Sequence, residues 1–389
     1  MNPFTFNTVS SLINAPGAVV DIASICRRLN IRSPLIVTDA GIEKLGLNKK
    51  LAALLTANGI QSSCFTHVVA DPPESVVLAA VAQARNTVVD GVIGLGGGSS
   101  MDTAKLVALL ANSDEALADI YGVDKVKGQR LPLIMIPTTA GTGSEVTAVA
   151  IVTTGATSKM GVVSQTLLAD VAILDAELTL GLPAMTTAMT GIDAMVHAVE
   201  AYTSLHKKNP YSDMLAKSAL AMMGQHLVTA CRDGANLAAR QAMLYGACLA
   251  GQAFANAPVA AVHALAYPLG GHYHLPHGLA NSLVLPQVLT FNLSAAARWY
   301  AELAEVLIPA ERLASSRALR AQQFIDYFVQ LLAELKLPAT LAEVSVPEHD
   351  LAMLAREAMS QQRLLVNNPR PVLETDALAI YQHAYRGMS

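Results

Sequence analysis

The stretch "GVIGLGGGSSMDTAK", residues 91–105, decides the fold. A short apolar run enters a row of glycines, and a segment with helical spacing leaves it. Glycines there let backbone N–H groups approach a phosphate, and the helix N-terminus that follows adds partial positive charge. The spacing is not G-x-G-x-x-G, because Ser99 stands where that pattern wants its third glycine, and it is not a G-x-x-x-x-G-K-[ST] loop either. Taken alone, the stretch fits both a phosphate cradle and a glycine-rich turn.

The sequence around it repeats the alternation. "SPLIVTDA" (33–40), "SSCFTHVVA" (62–70) and "LPLIMIPTT" (131–139) read as strands. "LNKKLAALLTANG" (47–59), "PESVVLAAVAQARN" (73–86) and "SMDTAKLVALLAN" (100–112) read as helices. Strands alternating with helices of this length predict a mostly parallel sheet covered on both faces. The character changes near Pro183, where Ala, Leu and Met become frequent and helical spacing takes over. We therefore expect an α/β domain over 1–184 and an all-helical domain over 185–389. No Gly/Ser-rich linker separates them, so a shared rigid cleft is expected.

Two further polar features stand at strand ends. "IPTTAGTGSE" (136–145) offers Thr138, Thr139, Thr142 and Ser144 among small residues. Such a loop can complete a dinucleotide site at the carboxyl edge of a parallel sheet, or simply cap the next element. Asp39 ends the first clear strand. A carboxylate there can accept hydrogen bonds from an adenosine ribose and repel a 2′-phosphate, which favours NAD over NADP. It can equally cap a helix beginning "AGIEKLG" (40–46).

Composition excludes several classes. With 389 residues, 52% of them hydrophobic and 14% charged, the chain can bury a large core and has little polar surface to spare, which suits an oligomer. A net charge of −4 argues against nucleic acid or an anionic membrane as partner. Cys26, Cys64, Cys231 and Cys248 show no C-x-x-C spacing and read as reduced thiols of a cytoplasmic protein. The opening "MNPFTFNTVSS" lacks a basic region followed by an apolar one, so no secretory leader is expected. Residues 241–297 contain no Asp, Glu, Lys or Arg. A membrane span is not expected there, because Gln252, Asn256, Pro258, His263, Pro268 and the Gly270–Gly271 pair interrupt the run.

That uncharged region holds "VHALAYPLGGHYHLPHG" (262–278), with four histidines. Upstream, "GIDAMVHAVEAY" (191–202) places Asp193 and His197 four apart, on one helix face. His263 and His277 would be about 21 Å apart on one straight helix, too far to share an ion. Pro268, Gly270, Gly271 and Pro276 are expected to break that helix and let His277 return beside His263. One carboxylate and three imidazoles make a plausible divalent transition-metal site. Uncharged walls leave the ion's field unscreened where a substrate binds. His272 and His274 are surplus and read as lining residues. Tyr267 follows His263 by four residues and faces the same side.

Taken together, these pieces resemble the iron-containing (group III) alcohol dehydrogenases over nearly the whole chain. The matching segments are "VTD" (37–39), "GGGSSMDTAK" (96–105), "IPTTAGTGSEVT" (136–147), "GIDAMVHAVEAY" (191–202), "HALAYPLGGHYHLPHGLAN" (263–281) and "NPRPV" (368–372). The resemblance implies a Rossmann-like α/β domain followed by a helical domain, as in dehydroquinate synthase-like folds, usually within a homodimer. It implies Fe²⁺, or Zn²⁺ in its place, on Asp193, His197, His263 and His277. It implies NAD(H) on Asp39, the glycine loop (Gly96, Gly97, Gly98, Ser99, with Asp102), the second loop (Thr138, Thr139, Thr142, Ser144) and Lys159. Lys159, in "TSKMGVVS" (157–164), is assigned by the resemblance alone; its other reading is a solvated loop lysine. Two departures stand out: Tyr267 where the family often has histidine, and Asp71-Pro72 where relatives often have Asn-Pro.

The expected activity is hydride transfer between a small alcohol and NAD, with Tyr267 and His277 nearest the chemistry. Family members related to hydroxyacid–oxoacid transhydrogenases also carry Tyr-Pro there, so the resemblance implies a hydroxyacid dehydrogenase or transhydrogenase as the alternative. A dehydroquinate-synthase-like lyase would want several Lys or Arg for a sugar phosphate, which residues 241–297 lack. A non-catalytic dinucleotide- or metal-binding protein is the remaining alternative.

Overall fold

The computed structural model describes residues 3–155 and 158–387. Met1 and Asn2 of the opening stretch, and Thr157 beside Lys159, lie outside the described residues. The strands are β1 (Ser11–Asn14), β2 (Pro34–Asp39), β3 (Ser63–Val68), β4 (Gly91–Gly96), β5 (Gly122–Val123), β6 (Leu133–Pro137), β7 (Val149–Thr154), β8 (Ser158–Val163) and β9 (Val171–Leu174). β4, β6 and β9 are buried at every position, and β2 at all but its last. Apolar runs without alternation belong to strands covered on both faces, which is the parallel arrangement. Six strands accordingly form one sheet in the order β1-β9-β6-β4-β2-β3, with every pair parallel.

That order positions the candidate site. From β2 the chain crosses outward to β3, then returns to the other side of β2 for β4. Connections leaving in opposite directions open a crevice at the carboxyl ends of β2 and β4, where open α/β sheets bind ligands. Asp39 ends β2 and Gly96 ends β4. Gly96 also pairs with Pro137 of β6, so the glycine loop and the "TTAGTGSE" loop leave the sheet side by side. One sheet face packs Ile36, Ile93, Leu95, Ile134, Ile136 and Ile173 against Ile22, Cys26, Leu51 and Leu55 of two flanking helices. The Gly98–Leu110 helix packs against β4, β2 and β6.

A second, small sheet has the order β5-β8-β7, with β7 and β8 antiparallel. The Asp71-Pro72-Pro73 corner is fastened to it: Thr153 N donates to the Pro72 carbonyl at 2.9 Å and Thr153 Oγ1 to the Asp71 carbonyl at 2.9 Å.

Asn7–Leu182 together with Ala235–Cys248 forms one compact unit, and the other described residues form a second. The second unit is helical. Its Ala184–Thr203 helix is buried at every position over 191–203, as a helix apolar nearly all round must be. The His277–Leu307 helix packs against it and against Arg317–Glu334. Tyr300 and Phe324 stack with ring centroids 5.1 Å apart. Tyr381 Oη donates to the Leu265 carbonyl at 2.6 Å and ties the Glu374–Arg386 helix to the segment carrying His263.

One expectation is corrected here. Pro268, Gly270 and Gly271 do not break the helix, which runs Ala261–Tyr273 through all three. A proline inside a helix removes one hydrogen bond and leaves the others, and here the helix is buried along most of its length. The break comes at His274, whose left-handed conformation (φ 52°) ends the helix, with Pro276 preceding the next. Among the described residues, no single helix is long and apolar enough to cross a membrane.

Candidate functional site

Asp193 and His197 lie one turn apart on the Ala184–Thr203 helix, and His197 Nε2 stands 3.9 Å from Asp193 Oδ1. His263 Nε2 and His277 Nε2 stand 3.7 and 3.6 Å from the same oxygen. Donor atoms of Asp193, His263 and His277 all lie within 4.8 Å of one another. His197 joins from the side, stacked on His263 at 4.7 Å and on Phe254 at 4.3 Å between centroids. Donors about 2.1 Å from a tetrahedral ion are about 3.4 Å apart, so the spacing and the N/O chemistry fit a divalent transition ion. Asp193, His197 and His263 are buried, while the His277 side chain is 31% exposed and leaves one open side.

The local sequence explains the convergence. His277 is the first residue of its helix, three residues beyond the left-handed His274. Gly278 follows because nothing larger fits: a Cβ there would lie 2.1 Å from the Met189 carbonyl oxygen. Glycine thus lets the helix start against the helix carrying Asp193. Burial pushes the Asp193 carboxyl up. The charges of His197, His277 and His263 and the hydrogen bond from Asn281 outweigh it, and the net shift is downward.

Glu200 was not singled out from sequence. It is buried, accepts from Ala260 N (2.9 Å) and Val262 N (2.7 Å), and lies 2.7 Å from His263 Nδ1. A carboxylate on Nδ1 fixes the tautomer and leaves Nε2 for the ion. The signal was available: Asp193, His197 and Glu200 follow i, i+4, i+7 on one face. Tyr267 is half-buried, with its ring 6.0 Å from that of His277. The surplus histidines are elsewhere. His272 Nε2 pairs with Glu357 at 2.6 Å, and His274 is exposed.

In the sheet unit, Asp39 caps a helix and also borders the glycine loop. Its Oδ1 accepts from Gly41 N (2.9 Å) and Ile42 N (3.1 Å), capping the Ala40–Lys44 helix, while Oδ2 accepts from Ser100 Oγ at 3.1 Å beside the glycine loop. Gly97 is the N-cap of the Gly98–Leu110 helix and brings no side chain to satisfy its first N–H groups. At Gly98 the two loops touch, since a Cβ would lie 2.7 Å from Thr142 Cγ2. Thr139 lies 3.5 Å from the corresponding point at Gly97, and Thr138 N donates to the Gly96 carbonyl at 3.0 Å.

Asp102 and Ser144 are placed differently from the rest. Asp102 Oδ1 accepts from Ser144 Oγ (2.5 Å) and its Oδ2 from Ile151 N (2.9 Å). Lys105, fully buried, donates to Ser144 Oγ (2.8 Å), Thr147 Oγ1 (3.0 Å) and the Val149 carbonyl (2.7 Å). These groups brace the second loop against the glycine-loop helix. Burial pushes the neighbouring Glu145 carboxyl up to about 7, opposed by its backbone hydrogen bond, by the Lys105 ammonium and by the Cys248 thiol. Lys159 is a strand residue rather than a solvated loop lysine; its side chain is 7% exposed and its Nζ pairs with Asp71 Oδ1 at 2.7 Å.

Comparison with known proteins accounts for both units. The model of the iron-containing alcohol dehydrogenases matches residues 10–176, and that of the C-terminal part of the Fe-containing alcohol dehydrogenase family matches 187–385. Long-chain-alcohol dehydrogenase 1 of Geobacillus thermodenitrificans is 40% identical over 374 residues, 95% of this chain and 94% of that one. A solved 1,3-propanediol oxidoreductase superposes with a TM-score of 0.95 at 34% identity, over 99% of this chain and 100% of that one. A sulfoacetaldehyde reductase from Bifidobacterium kashiwanohense, solved in complex with NAD⁺, superposes with a TM-score of 0.88 at 27% identity, over 99% of each chain. The chain belongs to the iron-containing alcohol dehydrogenase family, and it is an oxidoreductase acting on alcohols.

Proposed function

We propose that this chain interconverts a small neutral alcohol and its aldehyde or ketone with NAD(H), using a divalent ion held by Asp193, His197, His263 and His277. The observation that carries this reading is the convergence of three imidazole nitrogens within 3.9 Å of one carboxylate oxygen. When bound, the ion would supply Lewis acidity favouring loss of the alcohol's proton, and NAD would supply the hydride acceptor. Fe²⁺ is the proposed native ion and Zn²⁺ a substitute.

The chain's own residues divide the remaining work. Asp193 is the one anionic group of the proposed ligand set. Glu200 orients His263. Tyr267 positions the substrate oxygen beside His277, its phenol donating a hydrogen bond. Gly96–Ser99, Thr138, Thr139 and Thr142 receive the dinucleotide phosphates, and Asp39 receives the ribose and disfavours NADP. Asp102 and Ser144 hold the loops in place. Lys159 approaches the dinucleotide with its charge balanced by Asp71. No cation in residues 241–297 is available to receive a carboxylate or phosphate, which favours a neutral alcohol over a hydroxyacid.

Residues 1–184 are the proposed dinucleotide domain and 185–389 the metal domain, with Ala235–Cys248 clustering beside the former. The four cysteines are free thiols, in keeping with a cytoplasmic enzyme, and a homodimer is the proposed assembly. NADH absorbance from a panel of alcohols, with NAD⁺ or NADP⁺ on Fe²⁺-loaded protein, tests the reading. A response to alcohols with NAD⁺ supports it, and silence across the panel contradicts it.

A further inference from the structure

Asn281 follows His277 by one helical turn and is completely buried. Its Nδ2 donates to Asp193 Oδ1 at 2.6 Å and lies 3.4 Å from Nε2 of both His263 and His277. The amide nitrogen therefore sits against the face formed by three of the four donors. Its orientation is set by chemistry: exchanging N and O would press the amide oxygen against a carboxylate oxygen at 2.6 Å. The other end of the same amide, Oδ1, is buried without a hydrogen-bond partner. An unsatisfied buried acceptor is a cost that leucine or alanine would avoid. Such costs are kept where a group serves a site rather than the fold.

The chemistry of an amide suits this place. A buried carboxylate needs a donor to hold one oxygen in a fixed direction. A lysine or arginine would supply it but would repel a cation. An asparagine donates with no formal charge, and the carboxylate oxygen retains a lone pair for an ion.

We propose that Asn281 is a positioning residue of the metal centre, holding Asp193 Oδ1 toward the three imidazoles and so setting the affinity and geometry of the bound ion. This rests on the metal-centre reading above. The test is titration of the metal-free full-length chain with Co²⁺ against a competing chelator, together with the visible ligand-field absorption of the Co²⁺ form. Asn281→Ala should weaken Co²⁺ binding by about 10–100-fold and shift the absorption bands, because Asp193 is no longer held. Asn281→Leu keeps the branched shape, at a somewhat larger volume, without the donor and should do the same, which separates the effect from the cavity that alanine leaves. Wild-type affinity and unchanged bands in the folded variants would overturn the proposal. A wild-type chain that binds no Co²⁺ would instead overturn the metal centre itself.

Discussion

Glu200 Oε2 stands 2.7 Å from His263 Nδ1, and this one contact determines which nitrogen of His263 faces Asp193. The same carboxylate receives the N–H groups of Ala260 and Val262, so it shapes the start of the helix as well as the ring it carries. Glu200→Gln offers one acceptor oxygen where two were used, and should weaken metal binding by about 10–100-fold. Glu200→Ala should in addition cost roughly 2 kcal/mol of stability, because buried N–H groups lose their acceptor. Chelator competition and urea unfolding measure the two effects, and unchanged metal affinity in both variants would remove Glu200 from the site.

Asp39 both caps a helix and borders the glycine loop. Asp39→Gly should improve NADP⁺ use relative to NAD⁺ by removing repulsion of the 2′-phosphate. Since glycine is a tolerable N-cap, the stability cost should be only about a few tenths of a kcal/mol. Steady-state kinetics with both cofactors decide it. A wild-type enzyme that already prefers NADP⁺ would refute the assignment.

Glu145 gives a pH dependence with a defined sign. Its folded pKa, about 7, stands above its ordinary value of 4.5, so the protonated form favours the fold. That contribution is complete below pH 4.5 and is lost as the pH rises through about 7. Glu145→Gln should therefore flatten the fall in Tm over this window relative to wild type. Parallel Tm profiles for the two proteins would show that Glu145 does not titrate there.

Tyr267 lies beside His277, with ring centroids 6.0 Å apart. If its phenol positions substrate, Tyr267→Phe should raise KM or blur discrimination among oxygen-bearing substrates, with metal content unchanged. Identical kinetics across a substrate panel would leave it a packing role only.

Much of this fold is written in the sequence, for physical reasons that differ by region. β4 and β6 are apolar throughout and β2 is apolar up to Thr38, as strands covered on both faces are, and helical segments separate them. The second sheet leaves little trace in the sequence. β5 has only two residues, and β8, "SKMGVV", carries a lysine and a glycine that dilute any strand pattern. Pro268 and the following glycines look like helix breakers, yet burial kept the helix intact and the reversal fell to His274. Asp102 lies in the first turns of the Gly98–Leu110 helix and Ser144 opens a 3-10 turn, and their oxygens meet Lys105, Ile151 and each other, which sequence spacing does not show. A glutamate in a helix ordinarily faces water, so only the burial of Glu200 beside His263 reveals what it does.

The central claim is that a divalent ion on Asp193, His197, His263 and His277 is required for hydride transfer. The most direct measurement is NADH formation from NAD⁺ and small alcohols by chelator-stripped full-length chain, before and after stoichiometric Fe²⁺ is returned. No turnover is expected when stripped, with full recovery in wild type and no recovery in His263→Ala. Full turnover by the stripped wild-type chain, or by His263→Ala, would contradict it.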